Sequence, residues 1–531
     1  MRKSVYSILL AFVLLILVSS AGTTAEAKEK PSSLANGEKS CLHLNDLTIS
    51  KSSIGLRTSG ASVTDAVFVA DEKNGEFCQV KGAIHPVDPS APDIQFQVNL
   101  PSEWNRKALQ MGGGGFNGVL VTGLENNRYD PKDSPTPLAR GFVTLGSDSG
   151  HAAKGNWDGS FAMNNEALAN FAGDQIKKTH DTALAIINAY YHTQPEQMYF
   201  SGGSEGGREG LVAIQKWPND YDRAVIFYPV YNWIAKAIQD NRNTQALLKN
   251  NGEGWISPEE NSRVNEIVLQ ACDSLDGVED RMISNTEGCA DKSDQILQDL
   301  AQAGFSKAQL EVIKTFNSPM EFSFKLANNV TSIAGYSQLE GADIGSQFGT
   351  SPAPSSFSEH GAMAQFSDQV LRYMVAKDAN LDAMSFNPNE WKKEIQTASK
   401  LLEPSKPNLS AFKALGGKVL LVHGTTDQIV TPYGSIDYYK QLEKKYGNKL
   451  DDFLQFYLIP GYGHGYGEFN MTADLLSELD SWVSTGEAPV NLVTADKESE
   501  RTRPMCEFPS WPQYDGTGDT HSAENYSCVQ P

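Results

Sequence analysis

The segment around Ser204 constrains the fold most. "QMYFSGGS" reads as a buried strand, and "EGGREGLVAIQKW" as the helix after it, ended with the help of Pro218. Between them, Gly202-Gly203-Ser204-Glu205-Gly206 has the G-x-S-x-G spacing of a nucleophile elbow. Such an elbow is a sharp strand-to-helix turn that holds a serine hydroxyl at the top of a parallel sheet. Five residues alone could equally be a glycine-rich turn that happens to contain a serine. The order of motifs along the rest of the chain separates the two readings.

Strands and helices alternate on either side of the elbow. "DIQFQVNLP" alternates in polarity, "ALQM" leads into Gly112–Gly115, and "FVTLGSDSG" is a short buried strand ending in a polar loop. Residues 165–191 form a helix, with Ala167, Leu168, Phe171, Ile176, Ala183, Ile186 and Ile187 available for its apolar faces. "RAVIFYPV" is a strand, and the pattern resumes at "KVLLVHGTTD" and "FLQFYLIPGYGHG". This alternation is the signature of a parallel α/β sheet. An α/β-hydrolase orders its triad serine, acid, histidine. Ser204, Asp427 and His464 have that order, and each lies just past the C-terminal end of a strand, where active sites of such sheets form. Of the nine histidines, His464 alone follows a late strand in a glycine-rich loop, and His423 reads as structural.

The predicted roles follow from acid–base chemistry. A serine hydroxyl attacks poorly until a base takes its proton. His464 can take that proton and return it to a leaving alcohol, and Asp427 fixes the imidazole tautomer. A tetrahedral intermediate needs an oxyanion hole. One donor is expected from the backbone N–H of Glu205, and the other from Gly114 or Gly115 in the glycine loop. No G-K-[ST] follows those glycines, so they are not a phosphate loop.

At 531 residues the chain exceeds one simple core. Residues 28–233 read as the first part of the hydrolase domain, 234–388 as a mostly helical lid insertion, and 389–531 as the second part. Arg2 and Lys3 precede an apolar run, Ile8 to Val18, and Ala25-Glu26-Ala27 follows as a cleavage pattern. Residues 1–27 are therefore expected to be a signal peptide cut after Ala27, leaving a secreted or periplasmic protein with no membrane segment. The net charge of −21 argues against nucleic acid or anionic lipid as partners. Six cysteines in an exported chain favour disulfides. Fifteen pairings are possible. The simplest joins neighbours: Cys41 with Cys78, Cys272 with Cys289, and Cys506 with Cys528.

Taken together, "GGGGFNG", "GSDSGH", "SEGGREGL", "WPNDYDRAV", "CDSLDGVEDRMI", "HGTTDQIVTPYGSIDYY", "PGYGHG" and the cysteine-containing tail resemble the tannase and feruloyl esterase family of α/β-hydrolases. That family also includes a mono(2-hydroxyethyl) terephthalate hydrolase. The resemblance runs from about residue 41 to 528. It implies a lid and a serine carboxylesterase acting on small aromatic acid esters such as feruloyl, chlorogenoyl or galloyl esters, with terephthalate monoesters as the alternative. A peptidase lacks support, because no propeller repeats are present, and a non-catalytic binding protein sits poorly with an intact Ser, Asp and His. The resemblance also implies a structural calcium ion held by the side chains of Asp273, Asp276 and Asp280 and the carbonyls of Val278 and Met282, hard oxygen ligands around a turn at Gly277. One departure stands out. Most of the family joins a cysteine before the serine to one after the histidine, and here those places are Gly203 and Gly465. If the two glycines lie side by side, cysteines introduced at both are expected to bridge, provided both backbone conformations tolerate a side chain; a glycine at positive φ would oppose it.

Overall fold

A computed structural model describes residues 33–155, 157–404 and 407–531. The expected signal peptide lies outside the described residues.

Ten strands form one sheet: β1 (Thr48–Ile49), β2 (Gly60–Asp71), β3 (Gly75–His85), β4 (Ile94–Pro101), β5 (Lys107–Met111), β6 (Val143–Ser147), β7 (Gln197–Gly203), β8 (Arg223–Phe227), β9 (Lys418–Gly424) and β10 (Leu454–Ile459). Their order is β1-β2-β3-β4-β6-β5-β7-β8-β9-β10. From β6 to β10 all neighbours are parallel, and from β1 to β6 along the other edge they are antiparallel. The sheet has the α/β-hydrolase fold. The long β2–β3 hairpin was not anticipated from the sequence.

The central strands are apolar on both faces because helices cover both. On one face, Ile176, Ile186 and Ile187 of α1 (Gln175–Tyr191) and Leu211, Val212 and Ile214 of α2 (Glu205–Lys216) pack on Phe200, Ala224, Val419 and Phe456. On the other, Leu475, Leu479 and Trp482 pack on Tyr199, Val225, Leu420 and Tyr457. The helix expected over 165–191 is broken by a π-helical turn at Asn170–Asp174, where Gly173 has φ 144°. Its Cβ position lies 2.8 Å from Val212, so a side chain there would press into α2.

Between β8 and β9 the chain leaves the sheet. The excursion opens with α3 (Trp233–Gly252, kinked at Lys249–Asn251), continues through α4 (Pro258–Cys272), and carries α5 (Ala362–Gln369) and α6 (Lys392–Leu402). Ile395, Ala398 and Leu402 of α6 share a core with Trp233, Ile234 and Ile238 of α3. The helical region therefore runs past the expected boundary at 388, because α6 buries its apolar face on α3 and not on the sheet.

All six cysteines pair with their neighbours in sequence: Cys41–Cys78, Cys272–Cys289 and Cys506–Cys528, with Cα separations of 5.5, 5.3 and 5.5 Å. Each closes a loop of 17 to 37 residues. In the chain-entropy account a loop of that size is worth roughly 3–4 kcal/mol. No helix among the described residues is long and apolar enough to cross a membrane.

Candidate active site

β7 ends at Gly203, α2 begins at Glu205, and Ser204 between them has φ 61° and ψ −120°. A non-glycine residue in that region is strained, and the surroundings must hold it there. Ser204 N–H donates to Phe227 O at 3.1 Å, and its carbonyl accepts from Arg208 N at 3.0 Å. Two glycines make the turn possible. A Cβ on Gly202 would lie 2.5 Å from Gly206 O, and one on Gly206 would lie 2.6 Å from Gly113 O. The elbow and the glycine loop are thus pressed together backbone to backbone.

Asp427 and His464 meet just beyond β9 and β10. The Nδ1 of His464 lies 2.9 Å from Asp427 Oδ2 and 3.1 Å from Oδ1. Asp427 is fully buried, and its Oδ1 also accepts the N–H groups of Ile429 and Val430, both at 2.8 Å. Burial pushes its carboxyl up, but His464 and His423 outweigh that and hold it well below the usual carboxylate range. His423 is fully buried, with Nδ1 at 2.8 Å from Ser435 Oγ and Nε2 at 2.9 Å from Val430 O. Both its nitrogens are occupied, whereas the Nε2 of His464 has no partner among the described residues. A partly exposed serine past β7 and a carboxylate-braced imidazole past β10, both at the C-terminal ends of parallel strands, are the parts that activate a hydroxyl when they meet.

The glycine loop offers donors. Gly112 N–H goes to Ser201 O and Gly113 N–H to Glu209 Oε2. The N–H groups of Gly114, Gly115 and Glu205 have no acceptor among the described residues, and Gly115 lines the same pocket as Ser204. Behind the loop sits a residue that the sequence did not single out. Glu209, fully buried on α2, accepts from Gly113 N, Asn117 Nδ2 and Gln175 Nε2 at 3.0, 2.8 and 2.8 Å. Glu205 and Arg208 are also fully buried and paired with each other. Arg208 further donates to the carbonyls of Phe171, Ala172 and Leu402. All three side chains lie within "SEGGREGL", and only their partners, distant in sequence, give them roles.

Ser204 opens into a narrow pocket of about 30 Å³ walled by Trp157, Trp233, Phe366, Met363 and Val430. These walls come from four separate segments, so no local pattern announces them.

Gly203 and Gly465 do not leave room for a bridge. A Cβ on Gly203 would lie 2.8 Å from the Tyr228 ring, and one on Gly465, at φ +82°, 2.5 Å from Arg128 Cδ. The Tyr228 ring packs 4.6 Å from the imidazole of His464, centroid to centroid. Tyr228 fills the place beside the histidine, so the expected cystine would have to displace it.

The aspartates of the Cys272–Cys289 loop are engaged with their own backbone. Asp273 Oδ2 accepts from Arg281 N at 3.0 Å, Asp276 Oδ2 from Ser284 N at 3.0 Å, and Asp280 Oδ1 from Met282 N at 3.1 Å. Asp280 also pairs with Arg503. Val278 N–H points to Asp276 Oδ1 at 3.4 Å. Asp273 Oδ1 is buried without a partner. Among the described residues, the one trio of acidic or imidazole groups converging within 4.8 Å is His180, Asp181 and Asp220, not these aspartates. Lys177 already bridges Asp181 and Asp220 at 2.8 Å each, so that trio carries its own cation.

Comparison with known proteins bears on the family and the fold. A sequence model of the tannase and feruloyl esterase family matches residues 78–529. An uncharacterized esterase of Agrobacterium fabrum is 36% identical over 514 residues, covering 92% of this chain and 93% of its own. The mono(2-hydroxyethyl) terephthalate hydrolase of Piscinibacter sakaiensis is 24% identical over 520 residues, covering 86% and 85%. The crystal structure of feruloyl esterase B from Aspergillus oryzae superposes with a TM-score of 0.75 at 22% identity, over 93% of this chain and all of that one.

Proposed function

The chain belongs to the tannase and feruloyl esterase family of carboxylic ester hydrolases, and from that membership we propose that it cleaves esters of phenolic acids with Ser204 as nucleophile. The observation that carries the reading is that Ser204 opens into an aromatic pocket while one ring, Tyr228, lies against both its elbow at Gly203 and the imidazole of His464, which a buried carboxylate holds. Ser204 Oγ attacks the ester carbonyl carbon while its proton passes to His464 Nε2. Asp427 holds the imidazole and stabilises the imidazolium. The carbonyl oxygen becomes an oxyanion facing the N–H of Glu205 and of Gly114 or Gly115, each donor contributing roughly 3–4 kcal/mol to lowering the barrier. His464 returns the proton to the leaving alcohol, and an acyl group remains on Ser204. Water, activated by the same histidine, then releases the acid.

The test is a panel of methyl ferulate, methyl gallate, chlorogenate and a terephthalate monoester, with wild type and Ser204→Ala. Hydrolysis of a phenolic ester that vanishes in Ser204→Ala is the expected result. Preference for the terephthalate monoester would favour the second reading, which rests on the Piscinibacter relative. Turnover that survives in Ser204→Ala would remove the nucleophile.

Glu209 bears on the same step. Glu209→Gln puts an amide NH2 where Gly113 N–H and two side-chain amides now find acceptors. We expect kcat to fall roughly tenfold to a hundredfold with KM little changed, less than the loss of an oxyanion donor itself. Unchanged kcat would mean that the loop holds its shape without Glu209.

The loop at 273–282 suits calcium. Its donors are oxygens, two of its carboxylates are buried, and Asp273 Oδ1 lacks a partner. Asp273, Asp276 and Asp280 with the carbonyls of Val278 and Met282 would hold the ion, which braces the loop beside the Cys272–Cys289 bridge and takes no part in the chemistry. Removing calcium with a chelator should lower the melting temperature, and Asp276→Ala should abolish the response to added calcium. Identical melting curves with and without bound calcium would rule the site out. Three cystines also fit an exported protein, secreted or periplasmic.

A further inference from the structure

Lys236 is the single charged side chain lining the Ser204 pocket among the described residues. It lies on the first turn of α3 and is only 8% exposed. A buried ammonium is costly unless it is paired, and this one is. It forms an ion pair with Asp240, one turn further along α3, and donates to Tyr336 Oη at 3.0 Å. Tyr336 Oη in turn donates to Asp240 Oδ1 at 2.8 Å. An ammonium carries three N–H donors. Two are used, and the third has no acceptor among the described residues. The ring of Phe366, a pocket wall, has its centroid 4.8 Å from Nζ.

The charge of the cluster decides what that donor can accept. Lys236 and Asp240 cancel, and burial among these groups holds the Tyr336 hydroxyl protonated. A carboxylate entering beside them would leave one uncompensated negative charge among tryptophan, phenylalanine and methionine side chains. A neutral oxygen would complete the hydrogen bonding at no such cost. The amide of Gln347 is already held by Met363 N at 2.9 Å and Gln428 O at 2.7 Å, while the indole Nε1 of Trp233, another pocket wall, is buried without a partner and is a second, uncharged donor.

We infer that Lys236 is the specificity-determining residue of the acyl pocket and hydrogen-bonds an uncharged hydroxyl on the aromatic ring of the acid, selecting hydroxylated acyl groups over carboxylated ones. The inference rests on the ester-hydrolase reading of Ser204 above. It separates the two substrate classes by charge: phenolic esters fit the neutral Lys236–Asp240 pair, and terephthalate monoesters oppose it.

The experiment measures kcat/KM for methyl cinnamate, its three ring-hydroxylated isomers and its 4-carboxy analogue. In wild type the best hydroxylated isomer should exceed methyl cinnamate at least tenfold, and the carboxylate should fall below it. Lys236→Met should keep methyl cinnamate turnover within severalfold and lose the hydroxyl preference. A purely structural lysine would lower all five substrates together. Asp240→Asn, which leaves the cation unbalanced, should raise the carboxylate-to-hydroxyl ratio, and this second variant decides the matter if Lys236→Met does not fold. Retained hydroxyl preference in Lys236→Met, an unchanged ratio in Asp240→Asn, or a wild-type preference for the carboxylate overturns the inference while leaving Ser204 as nucleophile. Failure of wild type to hydrolyse even methyl cinnamate overturns the ester reading itself.

Discussion

Ser204→Ala should lower kcat by about 10⁴- to 10⁶-fold with the fold intact, as removal of an activated serine does elsewhere. Asp427→Asn should cost about 10⁴-fold, because an amide turned toward His464 Nδ1 stabilises the wrong tautomer. Asp427 is the more informative position, since its carboxylate lies near two histidines: Oδ2 is 2.9 Å from His464 Nδ1 and 3.3 Å from His423 Nε2. The two rings differ in what their other nitrogen does. That of His423 is spent on Ser435, so His423→Gln should keep kcat within about tenfold, whereas His464→Ala should match Ser204→Ala. The combined Ser204→Ala, His464→Ala enzyme should be little worse than either single variant, because the groups act as one unit. Single-turnover rates on a chromogenic ester measure all of these. Near-normal kcat in Asp427→Asn would assign the orienting role to another acid.

Arg208→Met should be the most destabilising single change near the site. It leaves the carboxylate of Glu205 buried without a cation and strips donors from Phe171 O, Ala172 O and Leu402 O. Breaking a buried pair from one side costs about 3–5 kcal/mol. In a chain this long, each kcal/mol is worth roughly 1–2 °C, so the melting temperature should fall by roughly 3–10 °C. The loss should depend on pH with a definite sign. Burial raises the Glu205 carboxyl above its ordinary 4.5, and Arg208 opposes that rise. Without Arg208 the folded state binds the proton more tightly still, while the unfolded state releases it above about 4.5. Stability is then retained at low pH and lost as pH rises through that window. Wild type loses stability in this way only up to about pH 8, where its own Glu205 ionises, whereas the variant goes on losing it, so the variant should be closer to wild type at pH 6 than at pH 9. Glu205→Gln added to Arg208→Met should recover part of the loss. Differential scanning calorimetry at the two pH values checks this, and an unaltered melting temperature in Arg208→Met would show that the pair contributes nothing.

The resemblance and the fold were legible because their signals are local. A strand, two glycines, a serine and a helix are consecutive residues, and Asp427 and His464 each follow their own strand directly. The cysteine pairs were legible for the same reason, since each closes a loop of at most 37 residues. The end of the helical excursion was misplaced because α6 looks like any amphipathic helix until the surface it covers is known. What occupies the place of the family's cysteine pair was not legible either. Nothing in "GGS" or "HGY" reports that Tyr228 and Arg128 fill the space beside those glycines.

By itself, then, the sequence determined the hydrolase fold, the placing of Ser204, Asp427 and His464 just past strand ends, and the disulfide framework. Hydrophobic periodicity, turn chemistry and short loop closures are properties of neighbouring residues. Only the tertiary structure decided what surrounds the serine. Trp157, Trp233, Lys236, Phe366 and Val430 reach one pocket from segments hundreds of residues apart, and Glu209 and Arg208 acquire their roles from partners at 113, 171 and 402. The charge state and donor count of a buried group depend on what packs against it, and that packing exists only once the chain is folded.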